Sequence, residues 1–403
     1  MRRSANRFLA TMSTLGLVIG LTVAAPSASA QSSQFQPGGV LGSSALTGLS
    51  AEPTKPLHAS SEAMFSSPLV AQGGVNALLS SLAIVGSSEL PVFGSTFVEP
   101  PFPTVPGITR PKVVEKRQED RAERWIIASP AMEREVEVLV RPARSTTATA
   151  PVLYLLDGVD AKPAGEWLSP GDAAQFGDDV TLVMPTQARA SLWMDWDNDD
   201  PVLGRNKWET FLTEELPGLV EAQPEVRFNG KRAIGGISMG ANAAVMIANL
   251  NPGRYDAVFG ISGCYSTLDD IGHQITNLMV SSRGGNLDNV WGPFGSPGWQ
   301  RHDVVSDPSG LAGTRMYLSA GSGVINDAER EFFYNATRSS EIALSATLEA
   351  GVRTCTQRLE REMNRHDLAS NARFAYSDRG AHTWMNFNTQ VGPAWEYIRP
   401  ALY

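Results

Sequence analysis

The chain has 403 residues, 42% of them hydrophobic and 19% charged, with a formal net charge of −9. Those proportions belong to an ordinary globular protein and leave room for one large domain or two ordinary ones. The acidic balance argues against a partner bound through its phosphates, so no nucleic acid is expected.

The first thirty residues stand apart. Arg2, Arg3 and Arg7 precede the short apolar run "LGLVIGLTVAA", and small residues follow at Ala28–Ala30. That order predicts a cleaved secretory signal, too short and wrongly flanked for a retained span. Its removal takes away three arginines and no acid, moving the net charge from −9 to −12. No later stretch approaches eighteen unbroken apolar residues, so a soluble exported protein without a transmembrane segment is expected.

Residues 31–110 carry only Glu52, Lys55, Glu62, Glu89, Glu99 and Arg110 as charges and are rich in Gly, Ser and Pro. They predict an extended arm ending in the proline-rich linker "VEPPFPTVPGITRP". The cluster Val75–Val85 reads as one short helix, too weak to build a core.

From residue 111 to 403 the texture is that of a folded globular domain. "ERWIIASPAMEREVEVLVRPA" reads as two strands around a turn at Ser129–Pro130, the second alternating as a half-buried strand does. "APVLYLLDG" and "DVTLVMP" are near-continuous apolar runs, typical of buried parallel strands. "NKWETFLTEELPGLVEA" has helical spacing, and "RAIGGIS" is a strand leading into the helix "MGANAAVMIANL". "YDAVFGISG" and "TRMYLSAGS" add strands, Ser339–Asn364 a long amphipathic helix, "RFAYSD" a short strand and "WEYIRPAL" a closing helix. The segment after Ser238 that holds His273 and His302 reads as loops. Strands alternating with helices imply an α/β fold whose mainly parallel sheet is covered on both faces.

The stretch Gly236-Ile237-Ser238-Met239-Gly240 is G-x-S-x-G at a strand-to-helix junction, the nucleophile elbow of α/β-hydrolases. A serine hydroxyl attacks only when a base takes its proton. In this fold the order is serine, acid, histidine. Of five histidines, His58 precedes the serine, His273 and His302 come too early, and His366 sits solvated at a helix end. His382, in "DRGAHTW" after the last strand, is the expected base. The usual place for the acid, after the "TRMYLSAGS" strand, nominates Asp327, while Glu349 is less usual by that rule. The oxyanion hole needs two backbone N–H donors, expected from Met239 and, in "LLDGVDA", from Val159.

Cys264 and Cys355 form an even pair, which export favours as a bridge, two separately buried thiols being the alternative. "DWDNDD" lacks the glycine and the distant glutamate of a calcium loop and reads as a solvated acidic loop. No metal or nucleotide signature is seen, and no cofactor is expected.

At these residues the chain resembles the secreted antigen 85-type mycolyltransferases, from roughly Trp125 to its C-terminus. The segments that carry the likeness are "SPAMEREVEV", "LYLLDGVDA", "TLVMP", "KWETFLTEELP", "AIGGISMG", "VWGPFGSPGWQRHD" and "GAHTW". "KWETFLTEELP" is the most specific, since hydrolase chemistry alone does not demand it. The resemblance implies transfer of a mycolyl group between trehalose esters, or from trehalose to another cell-envelope acceptor. It implies Ser238 as nucleophile, His382 as base and Glu349, rather than Asp327, as the acid. Asp157 and Trp384 resemble positions that line the sugar and acyl site. Asp160 departs from the family, standing where mycobacterial members have an arginine that contacts trehalose, and residues 162–176 and the N-terminal arm also differ. By the same resemblance a Cys264–Cys355 bridge would pin the acid-bearing helix beside the nucleophile. A secreted carboxylesterase with the same triad is the alternative reading, and an envelope-binding protein with a vestigial site a second one.

Overall fold

A computed structural model describes residues 100–403 apart from 145–146 and 336–338. The expected signal and the arm up to residue 99, with its Val75–Val85 cluster and His58, lie outside the described residues. The last part of the proline-rich linker is packed on the body: Phe102 lies 4.5 Å over the guanidinium of Arg134. Among the described residues no helix is long and apolar enough to cross a membrane.

Among the described residues nine strands form one sheet: β1 (Lys112–Gln118), β2 (Glu123–Ser129), β3 (Arg134–Arg141), β4 (Ala150–Leu156), β5 (Thr181–Pro185), β6 (Phe228–Ile237), β7 (Ala257–Ile261), β8 (Arg315–Ala320) and β9 (Ala372–Tyr376). Their spatial order is β1-β2-β3-β5-β4-β6-β7-β8-β9. β1, β2, β3 and β5 pair antiparallel, and every pair from β5 across to β9 is parallel. The two arms of the "ERWIIAS…REVEVLV" hairpin are β2 and β3, in register from Glu123 opposite Val140 to Ser129 opposite Arg134.

Side chains alternate across the central strands, as the two-residue period of a strand requires. Val152, Tyr154 and Leu156 of β4 enter one core with α1 (Met239–Leu250), while Leu153 and Leu155 enter the opposite core. That opposite core also holds Phe387, Val391, Trp395 and Ile398 of the last long helix. The parallel strands are apolar nearly throughout because both faces are covered.

The segment after β7 differs from the loops expected of it. It contains α2 (Asp270–Ser281), started by Asp269, whose side chain accepts the Gly272 N–H at 2.8 Å. His273 therefore lies on a helix, and His302 closes the short helix Pro297–Arg301. β1 is a further addition, an exposed edge strand whose charged side chains give no alternating apolar signal.

The "KWETFLTEELP" segment is helical from Trp208 to Glu221, with a π turn over Phe211–Glu215. Its two nearly buried glutamates are structural acceptors. Glu215 takes the Ser129 hydroxyl and the Ala131 N–H, fixing the β2–β3 turn. Glu209 binds Arg301 and faces His302, which stacks on Trp291 at 4.2 Å. Burial opposes ionisation of Glu209, but the bonds from His302 and Arg301 prevail and bring its carboxyl to about 2. "KWETF" and "GWQRHD" are thus two halves of one ionic contact, its carboxylate nearly buried and its guanidinium half exposed.

In the "DWDNDD" segment the expected solvation holds over Asp197, Asn198 and Asp199 but not at the other two carboxylates. Asp200 is buried and accepts N–H groups from Val202, Leu203, Asn286 and Asn289. Asp195 accepts the N–H and hydroxyl of Thr210. Short-range acceptor geometry, invisible to composition, draws these two carboxylates inward.

Candidate active site

β6 runs directly into α1, and Ser238 stands at the corner with φ 53° and ψ −120°. Such a conformation is costly for a residue with a Cβ and is kept only where the surroundings enforce it. The flanking glycines show what enforces it. A Cβ on Gly236 would lie 2.3 Å from the Gly240 carbonyl, and one on Gly240 would lie 2.1 Å from the Leu156 carbonyl oxygen. Strand, turn and helix approach too closely for any side chain but hydrogen at those two positions.

The Ser238 Oγ lies 2.7 Å from His382 Nε2, and His382 Nδ1 lies 2.8 Å from Glu349 Oε2. Glu349 sits on α4 (Ser339–Arg365), following α3 (Asp327–Asn335), and has no exposed surface. Its other oxygen, Oε1, accepts the Ser262 hydroxyl at 2.6 Å, the Gly321 N–H at 2.6 Å and the Asn386 side-chain amide at 3.2 Å. A buried carboxylate with four donors around it is fully satisfied as an anion. Asp327, the acid nominated by the usual loop rule, is 94% exposed and pairs with Arg330 on its own helix.

His382 is held by its backbone as well: its N–H donates to the Ser345 carbonyl at 3.0 Å. The next residue, Thr383, caps α5 (Trp384–Ile398), accepting the Asn386 N–H. Met239 is the first residue of α1, so its N–H is among those a helix leaves without an internal partner. The Gly158–Val159 turn runs alongside, since a Cβ on Gly158 would lie 3.6 Å from that of Ser238.

An open cleft leads to Ser238 and His382. Its lining is of two chemical kinds. Leu344, Leu348, Trp384 and Phe387 are apolar, whereas Asp160 and Glu166 bring carboxylates. Trp384 meets Trp167 edge-on at 5.5 Å, so the 162–176 segment helps to shape this wall. Asp157 lies one layer behind the lining, almost fully buried, with Oδ2 accepting the Glu166 N–H at 3.0 Å. Oδ1 has no partner among the described residues. Burial, with the Glu166 charge adding to it, pushes the Asp157 carboxyl far above the usual carboxylate range.

Asp160 is paired with Arg283, which donates from Nη2 at 2.6 Å and from Nε at 3.0 Å. Arg283 is nearly buried, and its position just after α2 gives no sequence signal of a role at the cleft. Only the contact, 123 residues away along the chain, reveals it. Glu329 is a second residue that sequence reasoning passed over, a buried carboxylate bonded to the residues on either side of His382.

Cys264 and Cys355 form a disulfide, with Cα atoms 4.8 Å apart. Cys264 follows Ser262 by two residues, Cys355 follows Glu349 by six, and the Cys264 N–H donates to Asn242 on α1. Among the described residues no group of three or more His, Cys, Asp or Glu is placed to hold a metal ion.

The Esterase family model matches residues 129–394. Diacylglycerol acyltransferase/mycolyltransferase Ag85A of Mycobacterium tuberculosis is 30% identical over 299 residues, covering 68% of this chain and 80% of that protein. The Ag85B counterpart of Mycobacterium intracellulare is 26% identical over 299 residues, covering 68% and 82%. In fold, the crystal structure of Mycobacterium tuberculosis MPT51 (FbpC1) superimposes with a TM-score of 0.58 at 21% identity, over 71% of this chain and 100% of that one. An S-formylglutathione hydrolase from Agrobacterium tumefaciens gives 0.51 at 16% identity, over 72% and 100%. The chain has the α/β-hydrolase fold and belongs to the Esterase family and, within it, to the antigen 85-type mycolyltransferase family.

Proposed function

We propose that the protein transfers a mycolyl group from trehalose monomycolate, through an acyl-serine at Ser238, to a second trehalose monomycolate or another cell-envelope acceptor. The observation that carries the reading is the hydrogen-bonded chain from Ser238 Oγ through His382 to Glu349, in a chain of this family.

His382 Nε2 takes the hydroxyl proton as Ser238 Oγ bonds to the ester carbonyl carbon. The carbonyl oxygen becomes an oxyanion facing the N–H groups of Met239 and Val159. Glu349 holds the imidazole in the tautomer that leaves Nε2 free and stabilises the imidazolium once formed. The C–O bond to the sugar then breaks, the imidazolium gives its proton to the departing sugar oxygen, and the acyl-serine remains. An acceptor hydroxyl repeats the sequence in reverse, His382 taking its proton as the new ester forms and Ser238 Oγ leaves. The apolar lining at Leu344, Leu348, Trp384 and Phe387 suits an acyl chain, and the Asp160–Glu166 side, with Asp157 behind it, suits sugar hydroxyls.

In this reading residues 1–30 direct export, residues 31–110 are an arm and residues 111–403 the catalytic domain, acting outside the cell membrane in the envelope. Hydrolysis by the same residues, with water in place of the sugar hydroxyl, is the competing reading favoured by the match to esterases at large. Purified protein incubated with trehalose monomycolate decides between them. Dimycolate or another acylated acceptor as the main product supports transfer, and free acid alone supports an esterase. The Ser238→Ala variant is expected to lose both, since removing a member of such a constellation costs several orders of magnitude in rate. Near-normal turnover in that variant removes Ser238 from the mechanism.

A further inference from the structure

The loop that presents His382 is gripped from both sides by a carboxylate that the proposed chemistry does not use. Glu329, in the first turn of α3, has no exposed surface. Both of its oxygens accept the N–H of Ala381, at 2.9 and 3.1 Å. Oε1 also accepts the hydroxyl of Thr383 at 2.6 Å. The residue before the histidine and the residue after it are thus bound to one anion.

That anion is itself immobilised. Its Oε2 accepts the Asn326 N–H at 2.8 Å, and the Glu329 N–H returns to Asn326 Oδ1 at 2.9 Å. This is a reciprocal cap at the start of α3. On the other side, Thr383 connects onward: its hydroxyl oxygen accepts the Asn386 N–H, and the Asn386 side-chain amide donates to Glu349. Two buried carboxylates, Glu329 and Glu349, are therefore joined through Thr383 and Asn386 around the imidazole.

We propose that Glu329 is a positioning residue for His382, fixing the backbone of residues 381–383 so that Nε2 meets the Ser238 hydroxyl. This rests on the reading of His382 as the base. Burial, with the Glu349 charge on α4 adding to it, raises the Glu329 carboxyl, and the bonds from Thr383, Asn326 and Ala381 oppose that shift. All four of the hydrogen bonds at the Glu329 oxygens come from N–H or O–H donors, so the anion is the form that fits. An amide in its place sets a donor against a donor in either orientation, facing Ala381 together with Thr383 or Ala381 together with Asn326.

The test uses the full-length protein with a soluble p-nitrophenyl ester, reading kcat and KM separately, and a fluorophosphonate probe to read the reactivity of Ser238. Glu329→Gln is expected to lower kcat on the order of a hundredfold, the scale of an ångström-level displacement, with KM within about twofold. Thr383→Val should lower kcat in the same direction by less, and Thr383→Ser, which keeps the hydroxyl, should restore it. Ser238→Ala runs beside them as the control on the underlying reading. If Ser238→Ala is dead while Glu329→Gln and Thr383→Val turn over like the parent, positioning by Glu329 is wrong and the nucleophile stands. If Ser238→Ala itself turns over normally, the site reading has failed and the Glu329 proposal falls with it. Should Glu329→Gln not fold, the Thr383 pair decides: a kcat loss in Val reversed in Ser supports the proposal, and parental kcat in both overturns it.

Discussion

Replacing Gly240 with alanine puts the elbow to a direct test. The added Cβ falls 2.1 Å from the Leu156 carbonyl oxygen, 2.5 Å from its carbon and 2.6 Å from the Asp157 oxygen. All three are backbone atoms of β4 and the turn after it, so no side chain can swing aside. Since real Cβ atoms essentially never come within 3.0 Å of a neighbour, α1 must lift from β4 by about 1 Å, the gap between the two distances. Overpacking of this kind costs about 1–3 kcal/mol. The lift carries Ser238 and Met239 with it, away from His382 and Val159, and a displacement of that size costs on the order of a hundredfold in rate. Urea denaturation and ester turnover measured on the same preparation give both numbers. Gly218→Ala is the control, because it lies within a helix at ordinary φ with nothing within 4 Å of the new methyl, and it should gain about 0.5–1 kcal/mol. Parental stability and parental rate in Gly240→Ala refute the argument outright. A loss of stability with no loss of rate refutes its second half.

Glu349→Gln should be severely impaired in turnover and Asp327→Asn nearly unaffected, because the first is bonded to His382 and the second is solvated; the reverse ranking would unseat Glu349 as the acid. Arg283→Met should cost about 1.5–3 kcal/mol in a denaturation midpoint series, the usual worth of hydrogen bonds to a charged group, and a loss near zero would mean that the pair with Asp160 is incidental. Reducing the disulfide, or Cys355→Ser, should lower stability by roughly 4–5 kcal/mol on chain-entropy grounds, often less in practice, and should lower turnover as well. A thiol count on denatured, unreduced protein accompanies that measurement: two free thiols in fully active enzyme would end the idea, and reductant-insensitive activity would keep the bridge while rejecting its part in catalysis.

The elements that sequence displays well are those whose signal is local. β4, β5 and β7 are short apolar runs because both faces of the sheet are covered, and the elbow announces itself through glycines only a few residues from Ser238. β1 escaped because an edge strand with a solvated face needs no apolar alternation. The helices after α2 and before β8 escaped because they are only four and five residues long and follow the glycine- and asparagine-bearing stretch at Gly284, Gly285 and Asn286. Contacts made across the chain are harder still. The loop rule pointed to Asp327 for the acid, and only the family likeness pointed to Glu349, whose helix passes beneath the loop that carries His382. Arg283 and Glu329 have no motif around them, since what distinguishes each is a partner that folding brings from more than fifty residues away.

The bridge between Cys264 and Cys355 also has a bearing on helix register. α4 is 27 residues long, and a one-turn step along its axis would be about 5.4 Å. One such step would withdraw Glu349 from His382 and bring up a residue four places away: Ser345 in one direction, Arg353 in the other. The first leaves the imidazole without an anion, and the second sets a cation against it. Cys355 lies fewer than two turns from Glu349, and its bond leads through Cys264 and Asn242 to α1, the helix that starts at the elbow. A slip of α4 would have to drag that loop with it, so the covalent link opposes such a step and keeps a negative charge beneath the histidine.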